Sequence, residues 1–362
     1  MGVERAYNFS PGPATLPVEV LEEARDNMLS LAGSGVGICE ISHRSKEFSA
    51  VIEQAEADLR KLLNITDDYS VVFFQGGATL QFSAVPMNLL GRGQTADYIV
   101  TGGWSKKALA EAKKVGESHV AATTEAEKFK RIPRPDEIKL SKSPAYVHFT
   151  SNNTLYGTQW QEEPHSGGAS LVCDASSDIL SRPLNIHKYG MIYAGAQKNL
   201  GPSGVTLVII RNELLDRSQD SLPIYLNYKK MVEGKSLYNT PPVFAVYVVG
   251  LVAKWLLRNG GLDQMHKRNR EKAALLYDAL DANPFFRPHA DKASRSLMNV
   301  TWRLPSEELE AQFVEQAAAN NMRNLKGHRS IGGLRASIYN AFPKAGVEAL
   351  VSFMKDFAAK HG

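Results

Sequence analysis

The sequence predicts an α/β fold with two domains: a large domain with a doubly wound, mostly parallel sheet at residues 17–260, and a smaller C-terminal α+β domain at 261–362. The chain has 362 residues, of which 43% are hydrophobic and 22% are charged, so it can bury more than one core. Short apolar runs alternate with segments of helical period up to residue 260, and beyond it the order changes. Residues 1–16 are predicted to form an N-terminal segment ahead of the large domain.

Two amphipathic segments and six apolar runs are the clearest predicted elements of the large domain. The helical period is clearest in VEVLEEARDNMLSL (18–31) and EFSAVIEQAEADLRKLLNI (47–65). The predicted buried strands are YSVVFF (69–74), DYIVTG (97–102), AYVHFT (145–150), SLVCDAS (170–176), GMIYAGA (190–196) and VTLVIIR (205–211). Alternation of such strands with helices is typical of a parallel sheet that helices cover on both faces.

The C-terminal part has a different order of elements. A predicted helix at 261–281 is followed by a strand in SLMNVTWRL (296–304) and a helix in SEELEAQFVEQAAANN (306–321). A glycine-rich strand region (323–339) and a closing helix in GVEALVSFMKDFAAK (346–360) complete the chain. About 100 residues is a common domain size, so we expect these elements to form a separate domain.

Charge and composition exclude several classes of protein. The 42 basic and 38 acidic residues give a net charge of +4, which is not the electrostatic pattern of a nucleic-acid-binding protein. The N-terminus lacks the apolar region of an export signal, and the run VFAVYVVGLVA (243–253) is too short to cross a bilayer and is predicted as a buried helix. We therefore expect a cytoplasmic protein without membrane partners. Cys39 and Cys173 are too few for a zinc site on thiols alone, so we expect both to be buried and no metal.

The stretch YSVVFFQGGATLQFSAV (69–85) carries the clearest local signal. A strand leads into Gly76 and Gly77, and a helix is predicted to start at Ala78 and Thr79. Backbone N–H groups at a helix start point outward and favour an anion, and glycines allow the anion to approach. This pattern predicts a phosphate site, although a tight turn between strand and helix would look the same.

An acid and a lysine follow two further strands. Asp174 ends the run SLVCDASS, and Lys198 follows GMIYAGAQ. Ligands of doubly wound sheets lie at the carboxyl ends of strands, so we expect both side chains near one site. A phosphate site, a strand-end acid and a strand-end lysine are together what a pyridoxal phosphate enzyme requires: the lysine binds the cofactor aldehyde and the acid keeps the pyridine nitrogen protonated.

Several stretches together resemble the phosphoserine aminotransferase family, a class-V, fold-type I family of pyridoxal phosphate enzymes. The resemblance begins near residue 7 and continues in order to the end of the chain. It is carried by FSPGPATLP, ISHRSKEF, GGATLQF, GGWSKKA, CDASSDILSRP, YAGAQKNLGPSG, YNTPP and KGHRSIGGLRASIYNA. It implies a large domain with a seven-stranded sheet, and transamination in the biosynthesis of L-serine.

The resemblance also implies roles for individual residues around one cofactor per subunit. Lys198 and Asp174 match the catalytic pair, with Lys198 as the Schiff-base lysine and proton shuttle. Trp104 matches the indole that stacks on the cofactor ring, and Thr154 a threonine that bonds its phenolic oxygen. The residues implied at the cofactor phosphate are Ala78, Thr79, Ser176 and Gln197, with Asn239 and Thr240 from the neighbouring subunit of a homodimer. Some relatives have an arginine where this chain has Thr79, so no guanidinium contact is expected there.

L-Phosphoserine has an α-carboxylate and a phosphate, so its site needs two separate cationic groups, preferably arginines. The resemblance implies that Arg335 binds the α-carboxylate. It implies that the phosphate, or the γ-carboxylate of glutamate, meets a second cationic group. The candidates for this second group are His43, Arg44, His328 and Arg329. The implied reaction is L-phosphoserine with 2-oxoglutarate, giving 3-phosphohydroxypyruvate and L-glutamate reversibly.

Three other functions would share part of this pattern. A related class-V aminotransferase for a non-phosphorylated amino acid such as alanine would keep Lys198 and Asp174, but it should lack the second cationic group. A non-enzymatic phosphate-binding module would keep GGATLQF and have no use for Lys198. A cysteine desulfurase needs a catalytic thiol in its C-terminal part, and no cysteine follows Cys173.

Overall fold

The computed structural model describes residues 5–362; the first four residues of the predicted N-terminal segment lie outside the described residues. In that range the α-helices are α1 (Val18–Asp26), α2 (Lys46–Leu63), α3 (Ala78–Leu89), α4 (Gly103–Val115), α5 (Tyr228–Glu233), α6 (Val243–Arg258), α7 (Gly261–Asp281), α8 (Glu307–Ala319) and α9 (Lys344–His361). Helix α6 contains the predicted buried apolar run, and most of its side chains are buried.

The strands in the same range are β1 (Tyr7–Asn8), β2 (Tyr69–Gln75), β3 (Thr95–Val100), β4 (Glu117–Thr123), β5 (Tyr146–Thr150), β6 (Asn152–Asn153), β7 (Thr158–Gln159), β8 (Ser170–Asp174), β9 (Met191–Gly195), β10 (Val205–Arg211), β11 (Arg287–Pro288), β12 (Asn299–Arg303), β13 (Met322–Arg323) and β14 (Leu334–Ser337). The strands alternate with the helices only from β2 to β4, and β4 to β10 then follow one another without an α-helix between them, unlike the alternation predicted up to residue 260. All six strands predicted for the large domain are present.

Seven strands form the central sheet in the order β2-β10-β9-β8-β5-β3-β4. The pairs from β9 to β4 are parallel, and only β10 runs antiparallel to its neighbours β2 and β9. Separate apolar clusters contact the two faces of the sheet, which explains why the central strands are apolar along their whole length. The predicted α/β fold with a mostly parallel seven-stranded sheet is therefore confirmed.

The sheet brings the predicted site segments to one edge. The turn after β2 leads to Ala78, the turn after β3 to Trp104, and the segment after β5 contains Thr154. Asp174 is the last residue of β8, and Lys198 follows β9 by three residues. Because β2, β3, β5, β8 and β9 all point the same way, their carboxyl ends lie along the same edge of the sheet.

The C-terminal elements form a smaller layer around a three-stranded antiparallel sheet of order β11-β12-β14. Residues of α7, α8 and α9 pack on this sheet in a core of their own. The N-terminal segment joins this core, since β1 pairs in parallel with β13 and Phe9 is fully buried there. The domain boundaries at residues 17 and 261 stay a prediction.

Three expectations about local structure differ from the structure. Helix α1 ends at Asp26 rather than continuing to residue 31, because the Asn27 side chain donates to the Glu23 carbonyl and accepts from the Ala32 N–H, both at 2.8 Å. The region 323–339 holds only the short strands β13 and β14 with a loop between them. Cys173 is buried, but Cys39 is exposed because it lies in a turn ahead of α2.

No single helix within residues 5–362 is long and apolar enough to cross a membrane. Helices α6 and α7 reach that length and composition only when taken together, and a bend of 84° separates them.

Candidate active site

Lys198 lies at the carboxyl edge of the sheet with its side chain half-buried. Its Nζ donates to Thr154 Oγ1 at 2.7 Å. Burial lowers the pKa of Lys198 to about 8; the negative charge of Asp174 opposes this shift and the positive charge of Arg335 adds to it. Near neutral pH the amine can therefore lose its proton far more easily than a solvent-exposed lysine.

Gly12 allows the N-terminal segment to approach this lysine. A Cβ on Gly12 would lie 3.3 Å from Lys198 Cγ, and the residue has a φ of +148°, which side-chain-bearing residues rarely adopt. The Ala14 N–H also donates to the Gln197 carbonyl at 2.9 Å. In the sequence, a glycine between two prolines in FSPGP is the only local signal of this contact with Lys198, and the sequence analysis gives Gly12 no role in the site.

Asp174 is buried and is held by its neighbours at the end of β8. Its Oδ1 accepts from Ser176 Oγ at 2.6 Å and from the Ser176 N–H at 3.1 Å. Burial raises the pKa of Asp174, whereas the hydrogen bonds from Ser176 and the charge of Lys198 act in the opposite direction. Ser176 Oγ in turn accepts from the Gly195 N–H at 3.0 Å, which ties the ends of β8 and β9 together.

The predicted phosphate turn lies beside the end of β9. Helix α3 begins at Ala78, as predicted, and no side chain caps its start at Gly77. A Cβ on Gly195 would lie 3.4 Å from the Ala78 nitrogen and 2.8 Å from Gln197 Oε1, so these groups line one small space. Thr79 is exposed at the outside of the turn. The helix start, the Gln197 amide and the Ser176 hydroxyl are thus brought together.

Trp104 lies in the first turn of α4, directly after the end of β3. The centroid of its ring is 5.7 Å from Lys198 Nζ. Its Nε1 is buried without a hydrogen-bond partner in the described part of the chain. The turn before it is tight, since a Cβ on Gly102 would lie 2.7 Å from Asn153 Oδ1.

The residues at this edge fit pyridoxal phosphate. A lysine amine of lowered pKa can bind its aldehyde, and Asp174 keeps one carboxylate oxygen, Oδ2, without a partner among residues 5–362 for a protonated ring nitrogen. The start of α3 offers backbone donors for the phosphate, and Trp104 offers an aromatic face. The sheet and this site together define the class of the protein: a fold-type I pyridoxal phosphate enzyme.

Arg335 enters the same site from β14 of the small domain and is buried, with 5% of its surface exposed. Its Nη1 donates to the Thr154 carbonyl at 3.5 Å, and its Nε has no partner in the structure described. Burial lowers the pKa of Arg335. A buried guanidinium without a carboxylate partner is a site that a substrate carboxylate can complete.

The loop between β13 and β14 carries two further predicted residues. His328 is half-buried and its Nδ1 lies 2.7 Å from Ser330 Oγ, whereas Arg329 is exposed. Arg303 holds the loop by donating to the Ile331 carbonyl at 3.1 Å. Partial burial lowers the pKa of His328, and neighbouring cations, first among them Arg335, lower it further.

Four predicted residues are not joined to this site within one chain. His43 and Arg44 lie in the turn before α2, and Asn239 and Thr240 in the segment before α6. None of the hydrogen bonds or ion pairs among residues 5–362 connects the side chains of these four residues with Lys198, Asp174 or Arg335. The Thr240 carbonyl accepts from Gln75 Nε2 at 2.5 Å, so its backbone lies beside the end of β2.

Asn199 and Asn340 were missed by the sequence analysis. Asn199, next to Lys198, accepts from the Asn340 N–H at 3.0 Å and donates to the Ser177 carbonyl at 3.2 Å. The bond from Asn340 joins the lysine segment to the C-terminal elements, and the bond to Ser177 joins it to the segment after β8. The partners are far apart along the chain, so no local pattern indicated them.

Comparisons with known proteins agree with this class. The family described as aminotransferase class-V matches residues 6–350. The phosphoserine aminotransferase of Desulfosudis oleivorans is 55% identical over 361 residues, which cover 99% of both chains. The solved phosphoserine aminotransferase from Bacillus circulans subsp. alkalophilus has a TM-score of 0.97 and 50% identity, covering 99% of this chain and 100% of that one. A PLP-bound phosphoserine aminotransferase from Trichomonas vaginalis has a TM-score of 0.94 and 40% identity, covering 97% of this chain and 100% of that one.

These similarities extend over almost the whole chain and are far above the level that indicates a shared fold alone. The chain therefore belongs to the class-V aminotransferases and, within them, to the phosphoserine aminotransferase family. It is accordingly a pyridoxal phosphate-dependent aminotransferase.

Proposed function

We propose that the enzyme transfers the amino group of L-phosphoserine to 2-oxoglutarate, giving 3-phosphohydroxypyruvate and L-glutamate, and that it works in the opposite direction during L-serine biosynthesis. The observation that carries this proposal is the arrangement of cations around the lysine. Buried Arg335 lacks a counter-ion within residues 5–362, and the adjacent loop offers the positive charge of Arg329 and the imidazole of His328. The names of the similar proteins support the same substrate.

The cofactor supplies an electrophilic aldehyde and, when protonated, a ring that stabilises the electron pair left by a breaking Cα–H bond. Asp174 favours the protonated ring nitrogen because its carboxylate is buried and fixed by Ser176. The start of α3, Gln197 and Ser176 would hold the cofactor phosphate. Trp104 would stack on its ring, and Thr154 would bond its phenolic oxygen.

Lys198 moves the proton. Its free Nζ would accept the proton from the substrate Cα and hold it for the return transfer, and the bound cofactor would supply the electron sink for this step. The pKa of about 8 leaves a useful unprotonated fraction near neutral pH. The hydrogen bond to Thr154 Oγ1 keeps Nζ at the site during this transfer.

Substrate recognition is divided between two cationic groups. Arg335 binds the α-carboxylate that every amino-acid substrate has, and its burial strengthens this charge pair. His328 and Arg329 bind the distal dianion of phosphoserine or the γ-carboxylate of glutamate. A substrate with a small apolar side chain, such as alanine, leaves that second group without a partner.

The functional unit is a homodimer in which each site is completed by the other subunit. The side chains of His43, Arg44, Asn239 and Thr240 form no hydrogen bond or ion pair with Lys198, Asp174 or Arg335 of their own chain within residues 5–362, and they would reach the site of the partner. Apolar side chains next to this segment in the sequence are exposed, namely Tyr238 and Phe244. Helix α1, which packs on α6, and the turn after α1 expose Val18, Leu21 and Leu29, of which Leu29 is 87% exposed. Apolar groups so exposed in one chain are typical of a protein interface.

The first experiment is the absorption spectrum of the purified enzyme, recorded before and after addition of L-phosphoserine, L-glutamate, L-serine or L-alanine. We expect a yellow band from the lysine-bound cofactor that converts readily to the pyridoxamine form with phosphoserine and glutamate, and far more slowly with serine and alanine. Conversion by alanine as fast as by phosphoserine would replace the substrate assignment with that of the related class-V enzymes. A colourless protein that also fails to bind added pyridoxal phosphate would contradict the cofactor assignment. The cytoplasmic location stays a prediction.

A further inference from the structure

Lys107, a cation beside the cofactor site, has no role in the proposed transamination. Lys107 lies in α4, three residues after Trp104, with its Nζ 4.7 Å from the centroid of the Trp104 ring. The same ring centroid is 5.7 Å from Lys198 Nζ. Lys107 therefore places a positive charge over the indole that borders the catalytic lysine, where a cation–π contact limits its positions.

Lys107 differs from Lys106 and Lys114 of the same helix in having no counter-ion among residues 5–362. Lys106 Nζ lies 2.5 Å from Glu125 Oε1, and Lys114 Nζ lies 2.7 Å from Glu111 Oε1. Lys107 forms no ion pair or hydrogen bond with any residue between 5 and 362, and its side chain is exposed. Its charge is consequently available to a bound molecule.

Two of the groups near Lys107, Arg335 and Arg329, are cations. Partial burial, Arg335, Arg329 and Lys107 all lower the pKa of His328. The three positive charges therefore act at the same imidazole ring. Their mutual repulsion is relieved by a bound anion, and most by an anion with more than one charge.

We propose that Lys107 is a specificity-determining residue that contacts the dianionic end of the substrate together with His328 and Arg329. The inference rests on the proposed function and adds to it a residue from the large domain. A phosphate dianion interacts with a neighbouring charge about twice as strongly as a carboxylate does. Lys107 should therefore favour phosphoserine over glutamate, while the chemistry at Lys198 is unaffected.

The test compares Lys107→Gln with Lys107→Arg and with the matched control Lys106→Gln, all as holoenzymes. We expect Lys107→Gln to raise the KM for phosphoserine about ten-fold and that for glutamate about three-fold, with kcat within about two-fold of the wild type. Lys107→Arg keeps the charge and should restore most of the affinity. Lys106→Gln should behave as the wild type.

A second readout needs no turnover. In the substrate-free holoenzyme with ¹³C-labelled histidine, an NMR titration measures the pKa of His328, and a His328→Asn variant assigns its signal. This pKa should rise in Lys107→Gln, and Lys106→Gln should leave it unchanged.

An unchanged pKa of His328 would show that Lys107 is too remote from this loop, and so would an unchanged KM for phosphoserine. Equal losses for both substrates with an altered cofactor spectrum would show that Lys107 only holds Trp104; either result overturns the proposal. If the wild type fails to convert phosphoserine, the proposed function itself fails, and the His328 titration still reports whether Lys107 faces that loop.

Discussion

Arg335 and Arg329 differ in burial, and this difference separates the effects expected of their removal. Arg335 is 5% exposed and Arg329 lies on an exposed loop. Truncating Arg335 removes the partner of the α-carboxylate. Arg335→Ala should therefore lower kcat/KM for all amino-acid substrates, by an amount that corresponds to a loss of about 2–5 kcal/mol in transition-state stabilisation. Arg329→Ala should weaken phosphoserine and glutamate selectively and leave the slow reaction with alanine almost unchanged.

Steady-state kinetics with phosphoserine, glutamate and alanine measure this division, and Arg258→Ala, an exposed arginine at the end of α6, is the control. Proportional losses for phosphoserine and alanine in Arg329→Ala would refute this division between the two arginines.

Gly12 is another single residue on which the site depends. The local sequence shows a glycine between prolines, but only the folded chain shows that its missing Cβ makes room for Lys198.

At the scale of elements, a buried lysine on α7 organises the segment between β14 and α9. Lys272 is 3% exposed and its Nζ donates to the carbonyls of Ile338, Tyr339 and Phe342 at 3.0, 2.6 and 3.1 Å. The same segment contains Asn340, whose N–H binds Asn199 beside the catalytic lysine. Lys272 thus supports the contact between the small domain and the active site.

Lys272→Met should destabilise the enzyme by about 2 kcal/mol, because buried carbonyls lose their donor. We also expect a lower kcat, since the Asn340–Asn199 contact loosens. Thermal or denaturant unfolding together with kinetics measures both effects, and Lys267→Met, an exposed lysine on the same helix, is the control. Unchanged or higher stability would mean that desolvation of the buried ammonium outweighs its hydrogen bonds.

At the scale of the whole molecule, the proposed shared sites predict complementation between two defective subunits. Lys198→Ala and Arg44→Ala homodimers should each be nearly inactive. After subunit exchange of an equal mixture, half of the dimers are hybrids, and each hybrid has one site with both defects and one with neither. About a quarter of wild-type activity should return.

The matched control is a mixture of Lys198→Ala with Arg335→Ala, because these residues belong to the site of one chain. That mixture should regain no activity, since every hybrid site keeps one defect. Analytical ultracentrifugation shows whether hybrids can form at all, with the chain mass of 39.8 kDa as reference. Dimers that exchange subunits without recovery in the first mixture would place Arg44 in the site of its own chain.

The sequence by itself determined the fold class and the chemistry of the site. Apolar strands that each end in a distinctive residue are local patterns, and the direction of parallel strands brings Asp174 and Lys198 to one edge whatever the details of the loops. The end of α1 was predicted less well, because the two side-chain bonds of Asn27 decided it.

Only the tertiary structure decided which distant groups complete the site. Arg335 meets Thr154 across 181 residues of sequence, and Asn340 meets Asn199 across 141. The cationic surroundings of Lys107 likewise depend on a loop of the other domain. Periodicity and motifs report on neighbours in the chain, whereas these charges and hydrogen bonds arise from packing between domains, which no local pattern encodes.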